Sequence, residues 1–305
     1  MRNIVFNSIS DPTKTISLRR TFVSSVNRRF RELKTKIRKY IVDSNNLSPI
    51  TVNVFEYRNT TEKYEKFMKW LKEQEQLGIL EMIIANIPYR NTPINQPWIN
   101  TFLWTAYHKG MVQSRIELRA NGLINVPSFS AISGQFISSP LFHAPFHAEA
   151  VGMLFTRVFT DLKGITEAMD SSISRVLAQG MSEGLGAEHI ARNINREVDN
   201  IGINRARTMA RTEIVKAYND AKMNDYDAME DVIGEEILVQ WWTAQDERVR
   251  DPRHTSRHGK IYQKKDARRL VGEPNCRCTL LPYLVSTKGE VQNNQWGPIN
   301  PLGGR

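Results

Sequence analysis

Helical periodicity runs through most of this chain and then stops at one place, near Gly234. Leu18, Phe22, Val26, Phe30, Leu33, Ile37 and Ile41 recur at steps of three and four, so residues 17–42 read as one amphipathic helix. A second helical signal covers "NTTEKYEKFMKWLKEQEQLGILEMIIA", with Thr60 or Thr61 as its cap and Tyr64, Phe67, Leu71 and Leu77 on one face. A third covers 98–120, with Gly122 placed to end it and Trp98, Phe102, Trp104 and Tyr107 read as packing residues. From His147 to about Glu230 the signal continues, and Gly164, Gly180, Gly184, Gly186 and Gly202 divide it into about four short helices. Beyond Gly234, "EEILVQWWTAQD", "KIYQ" and "RCTLLPYLV" carry the β-branched and aromatic content of strands, with "DARRLV" as a short helix or turn between the last two.

The expected fold class is therefore mostly α: multi-helix N-terminal and middle regions with a small α+β C-terminal module. The expected divisions are a basic N-terminal helical arm (1–48), a helical region (49–122), a Ser/Pro/Phe connection (123–146), a helical domain (147–233), the α+β module (234–285) and an extended tail (286–305). Hydrophobic residues at 40% and charged residues at 24% supply a core for most of these parts, which excludes wholesale disorder.

No run approaches the roughly 18–20 apolar residues of a membrane span, and the N-terminus lacks an apolar signal-peptide segment, so the expectation is a cytoplasmic product with no membrane role. Cys276 and Cys278 stand too close for an ordinary structural disulfide and are expected to be reduced. The net charge of +10 favours an acidic partner. Its placement says more: residues 1–48 hold eleven basic side chains against Asp11, Glu32 and Asp43. Either this basic face is solvated while the apolar stripe docks, or Arg28, Arg31, Lys34, Arg38 and Lys39 contact nucleic acid; the two readings are compatible. Arg205, Arg207, Arg211 and Glu213 read as a salt-bridged helix face. His143 and His147 are spaced i,i+4, but Pro145 between them argues against a regular helix and against a metal role.

The densest concentration of chemistry is "DERVRDPRHTSRHGKIY" followed by "GEPNCRC". His254, His258, Cys276 and Cys278 make up the donor set of a tetrahedral zinc site, and a small module with a thin core gains from a structural ion. On a strand, residues 276 and 278 would share a face. Two other readings remain open. The cysteines could pack inward on that strand while His254 and His258 bond Asp246 or the backbone, or Asp246, His254 and His258 could form a hydrolytic site. Arg248, Arg250, Arg253 and Arg257 suit phosphate or carboxylate pairing better than water activation. No phosphate loop, Gly-x-Ser-x-Gly or His-Glu-x-x-His is present, so no catalytic residue is assigned.

Four segments in order, "LKGITEAMDSSISRVLAQGMSEGLGAEHIARNI", "RARTMARTEIVKAYNDA", "WWTAQDERVRDPRHTSRHGKIY" and "EPNCRC", resemble the phage Mu F-like minor head proteins, a family of phage head morphogenesis proteins. The resemblance covers about residues 147–285. It implies a non-enzymatic structural protein of the virion, placed at the portal vertex or inner capsid after assembly in the host cytoplasm. Its implied partners are the portal protein, the major capsid or scaffold protein, and packaged or ejected genomic DNA. The competing expectation is a DNA-processing enzyme, a metal-dependent nuclease with its site in the C-terminal module.

Overall fold

The computed structural model describes residues 11–43, 57–86, 93–123, 125–126, 145–249 and 252–284. His143, most of the Ser/Pro/Phe connection and the 286–305 tail lie outside the described residues.

Helix α1 (Ile16–Arg38) widens into a π-helical stretch at Lys39–Asp43, and its stripe from Phe22 to Ile41 is buried as the spacing predicts. Helix α2 (Tyr57–Leu77) ends earlier than the apolar pattern suggests. Met82–Ala85 is not helical: it is strand β1, paired antiparallel with β2 (Ile94–Pro97). The chain turns at Gly78, and the β-branched Ile83 and Ile84 beyond it favour a pleated strand. Because the helix starts at Tyr57, Thr60 and Thr61 lie inside it rather than capping it. Leu77 is 68% exposed, since i+6 from Leu71 falls off the buried face; Glu75, at i+4, takes the buried position.

Helix α3 (Asn100–Ala120) follows, and Gly122 closes its end at φ +93°. Trp98 and Tyr107 are buried and Phe102 and Trp104 pack against the core, with Trp98 Nε1 donating to the Ile79 carbonyl at 2.9 Å. The middle region differs from the expected four short helices. Helix α4 is continuous over Pro145–Ser182, and Pro145 occupies its first position, where a missing N–H costs nothing. Gly164 does not break it, because each interior glycine costs only about 1 kcal/mol and the stripe Val151, Leu154, Val158, Leu162, Met169, Ile173 and Leu177 is buried along the whole length. A turn at Gly184 leads to α5 (Ala187–Glu197), which continues through a π-helical stretch, Val198–Ile203, into α6 (Asn204–Ile233).

Helix α6 is the spine of the molecule, with 30 residues and Gly234 capping it at φ +70°. Ile214, Tyr218 and Ala221 are buried on one face, as their spacing predicts. Its first half joins α1–α5 in one hydrophobic core, whereas Met223, Tyr226 and Met229 join Leu118 and the sheet in a second core. That sheet has the order β4-β3-β5, all antiparallel: β3 (Ile237–Trp242) is central, β4 (Ile261–Tyr262) and β5 (Thr279–Leu284) flank it, and α7 (Lys264–Leu270) lies between the flanking strands in sequence.

Helices α3 and α6 cross so closely that a Cβ on Gly110 would stand 2.2 Å from the Tyr218 carbonyl oxygen. Two buried ion pairs lie between the same helices. Arg115 forks onto Asp225 with both contacts at 2.6 Å, and Lys222 meets Glu117 at 2.6 Å while Tyr226 donates to Glu117 at 2.7 Å. Burial pushes the Asp225 carboxyl up and the Lys222 ammonium down, and in each case the partner charge opposes the shift. Such buried pairs add little net stability over apolar side chains of similar volume.

Candidate metal centre

The loop 252–258 and the segment Glu273–Cys278 meet beneath Trp241 of the central strand. His254, Cys276 and Cys278 are all buried there, and their donor atoms lie within 4.8 Å of one another. His254 Nδ1 is 3.3 Å from Cys278 Sγ and 3.7 Å from Cys276 Sγ. The cysteines are not on a strand, because β5 begins at Thr279. They share a direction because the preceding turn bends the chain: Asn275 sits at φ +60°, and the Cys278 N–H points to Cys276 Sγ at 3.4 Å.

Helix α6 holds this turn in place. The Asn275 backbone N–H donates to Thr212 Oγ1 at 3.0 Å. Asn219 donates to the Cys278 carbonyl at 3.0 Å, and its own Oδ1 accepts from Thr279 Oγ1 and the Leu280 N–H. A helix side chain thereby supplies the hydrogen bonds that the entry to β5 would otherwise lack.

His258 does not join the cluster. Its Nδ1 accepts the Thr243 backbone N–H at 3.2 Å, its Nε2 meets the Gln245 amide at 2.6 Å, and its ring leans on Trp242 at 4.5 Å between centroids. Burial lowers its pKa and favours the neutral ring. Asp246 bonds neither histidine. Arg277 forks onto it, one contact being 2.7 Å, and this bond holds its carboxyl below the usual range. The three groups that a hydrolytic site would need are thus spent on three different partners.

Glu273, which opens the "EPNCRC" segment but is not among the expected site residues, lies 3.1 Å from His254 Nε2 and within 3.5 Å of both Arg253 and Arg257. Burial would raise its pKa, but the hydrogen bond from His254 Nε2 and the guanidinium charges of Arg253 and Arg257 hold it low. A carboxylate three residues before Cys276 was the available signal. The Cys276 thiol is drawn down to about 6, first by the hydrogen bond from the Cys278 thiol, which is itself pushed up in turn. The pair favours one thiolate facing one thiol.

The other charged residues fall elsewhere. Glu213 pairs with Arg157 of α4 at 2.6 Å and Arg207 donates to Asn27 of α1 at 2.6 Å, so the expected salt-bridged face instead connects different helices. Among the basic residues of α1, Lys34 is engaged by Asp199 at 2.6 Å and Arg38 by Glu188 at 2.8 and 2.7 Å. Arg28, Arg31 and Lys39 remain exposed, Arg28 with Glu32 at 3.8 Å. His147 lies on α4, where its Nδ1 meets the Tyr107 hydroxyl at 2.8 Å; burial brings its pKa down to about 4. Two adjoining clefts line the same side of α1. One, of about 510 Å³, gathers Arg19, Arg20, Arg211, Arg248 and Arg277, and the other, of about 500 Å³, includes Arg28 and Arg31.

Fold and cluster together define a helical protein whose long spine helix clamps a small thiol-bearing α+β unit. Residues 171–281, from the second half of α4 into β5, match the family described as Phage Mu protein F like protein. The chain is also 32% identical over 109 residues to an uncharacterized protein of Methanocaldococcus jannaschii, a match that spans 35% of this chain and 16% of the archaeal one. No solved structure matches. No helix among the described residues is long and apolar enough to cross a membrane.

Proposed function

We propose that this chain is a minor head protein of a tailed bacteriophage, acting in head morphogenesis by docking at the portal vertex or inner capsid wall. The observation that supports this reading is the coincidence of the Mu F-like match with one interlocked structure: the matched segment contains α6, β3, β4, the first half of β5, and the contacts of Thr212 and Asn219 that join them. In this reading the chain assembles in the host cytoplasm, resides in the virion and works without catalysis. Its partners are the portal protein and a capsid or scaffold protein.

DNA phosphates would be met along the two arginine clefts, chiefly by Arg20, Arg28, Arg31, Arg211 and Arg248, all exposed on one side of the molecule. Lys34 and Arg38, already held by carboxylates, contribute less.

Co-expression with the cognate portal protein followed by size-exclusion chromatography tests the docking. Co-migration is expected; separate migration at low salt, together with absence from purified heads by mass spectrometry, would sink it. Reversal of Arg20, Arg31 and Arg211 to Glu should lower the salt dependence of DNA affinity, by about 0.9 in log–log slope for each phosphate no longer neutralised. Cleavage of plasmid DNA in Mg²⁺, Mn²⁺ or Zn²⁺ that His254→Ala abolishes would favour the nuclease instead.

A further inference from the structure

The geometry around His254 can be compared with what an ion would require. For tetrahedral zinc with Zn–N of about 2.0–2.1 Å and Zn–S of about 2.3 Å, each N···S separation comes to about 3.6 Å. His254 Nδ1 stands 3.3 Å and 3.7 Å from the two sulfurs, on either side of that value. Bringing the imidazole nitrogen to bonding distance alongside each sulfur therefore calls for shifts of a few tenths of an ångström.

The surroundings are arranged as a metal site needs. Glu273 accepts from His254 Nε2, which fixes the ring and leaves the Nδ1 lone pair directed at the sulfurs. Arg253 and Arg257 hold Glu273 in turn. Arg277, the one residue between the cysteines, forks onto Asp246, whose carboxylate offsets its charge beside the sulfurs. The turn that carries both thiols is fixed from behind by Thr212 and Asn219. Beside the cluster lies a cavity of about 80 Å³ bordered by Ala244, Arg248, Val249 and Arg277. It has room for about two waters, at about 30 Å³ of liquid volume each.

We propose that His254 Nδ1, Cys276 Sγ and Cys278 Sγ bind one Zn²⁺, that Glu273 positions the imidazole, that His258 stays outside the coordination sphere, and that the fourth position faces this cavity. Two thiolates and an imidazole select a soft divalent ion over Mg²⁺ or Mn²⁺. Binding releases the thiol protons to solvent. The fourth ligand is a water or a small anion, which Arg248 at the cavity wall would favour. This inference stands apart from portal docking, since a site of this kind could serve a structural protein or an enzyme.

The test uses the full chain, purified from zinc-supplemented medium and dialysed against a weak chelator, with metal counted by mass spectrometry. One equivalent of zinc is expected in the wild type and in His258→Ala. Less than a tenth of an equivalent is expected in Cys276→Ser and Cys278→Ser. Glu273→Gln should retain the site with affinity 10–100-fold lower. Cobalt substitution of the wild type reads the site without any variant: thiolate-to-cobalt charge-transfer absorption with tetrahedral d–d bands, shifted by added azide, indicates two sulfurs and an exchangeable fourth position. Wild type that holds under a tenth of an equivalent both as purified and after zinc reconstitution overturns the site. Loss of zinc from a folded His258→Ala overturns the ligand assignment, and cobalt bands that azide leaves unchanged overturn the open position.

Discussion

Thr212 Oγ1 accepts the backbone N–H of Asn275 at 3.0 Å across 63 residues of sequence. The contact joins the Ala-Arg-Thr-Glu stretch of α6 to the turn that presents Cys276 and Cys278, and it shows why two motifs far apart in the chain form one object. Thr212→Val keeps the shape of the side chain and removes the acceptor. The expected cost is about 1 kcal/mol, read as a lower urea midpoint with an unchanged m-value. At Asn275, φ +60° suits Asn or Gly. Asn275→Gly should be close to neutral, whereas Asn275→Val should lose about 1–2 kcal/mol and displace Cys276.

Glycines in the long helices separate by what surrounds them. At Gly110 a Cβ would meet the Tyr218 carbonyl oxygen at 2.2 Å, and backbone cannot step aside as a side-chain tip can. Gly110→Ala should cost about 1–3 kcal/mol by forcing α3 from α6. At Gly164 nothing lies within 4 Å, so Gly164→Ala should stabilise by about 0.5–1 kcal/mol. Thermal melts of the two variants should move in opposite directions.

Glu75, buried on α2, faces the half-buried Asp170 of α4; burial, then the neighbouring Asp170, pushes Glu75 up to about 10. With the folded pKa above the unfolded value of 4.5, the folded state holds the proton more tightly. Stability from this group is thus complete below pH 4.5 and is lost as pH rises toward 10. Glu75→Gln should raise the melting temperature at pH 8 and have little effect at pH 4. A wild-type-like decline in stability between those values in the variant would show that another group is responsible.

Arg115 and Asp225 are 1% and 0% exposed at their side chains, so removing one leaves the other charged and buried. Asp225→Leu or Arg115→Met alone should cost about 3–5 kcal/mol, while the double replacement should recover most of the loss. Chemical denaturation of the four proteins forms the cycle. Additive losses would mean that the two residues do not act as a pair.

Much of the architecture was legible because it follows from local rules. The stripe from Leu18 to Ile41, the strands "ILVQWW" and "TLLPYL", and the glycine at the end of α6 each carry their own periodicity or backbone preference, and each formed as expected. Zinc-type donors could likewise be named from residue identity alone. What no local rule contained was which donors meet. His254 and His258 are equivalent in sequence, yet the turn at Gly259, whose φ is +77°, and the pairing of Trp241 with Lys260 direct one ring at the sulfurs and the other at Thr243. Glu273 became part of the site only once the chain had folded back on α6. The continuity of α4 and the close crossing at Gly110 were likewise settled by burial against distant helices, because a glycine's local cost of about 1 kcal/mol is small beside a buried apolar stripe. Residue type and local periodicity thus set most of the elements and the donors available, while long-range packing set the exceptions and the partners, because it fixes the direction in which each side chain points.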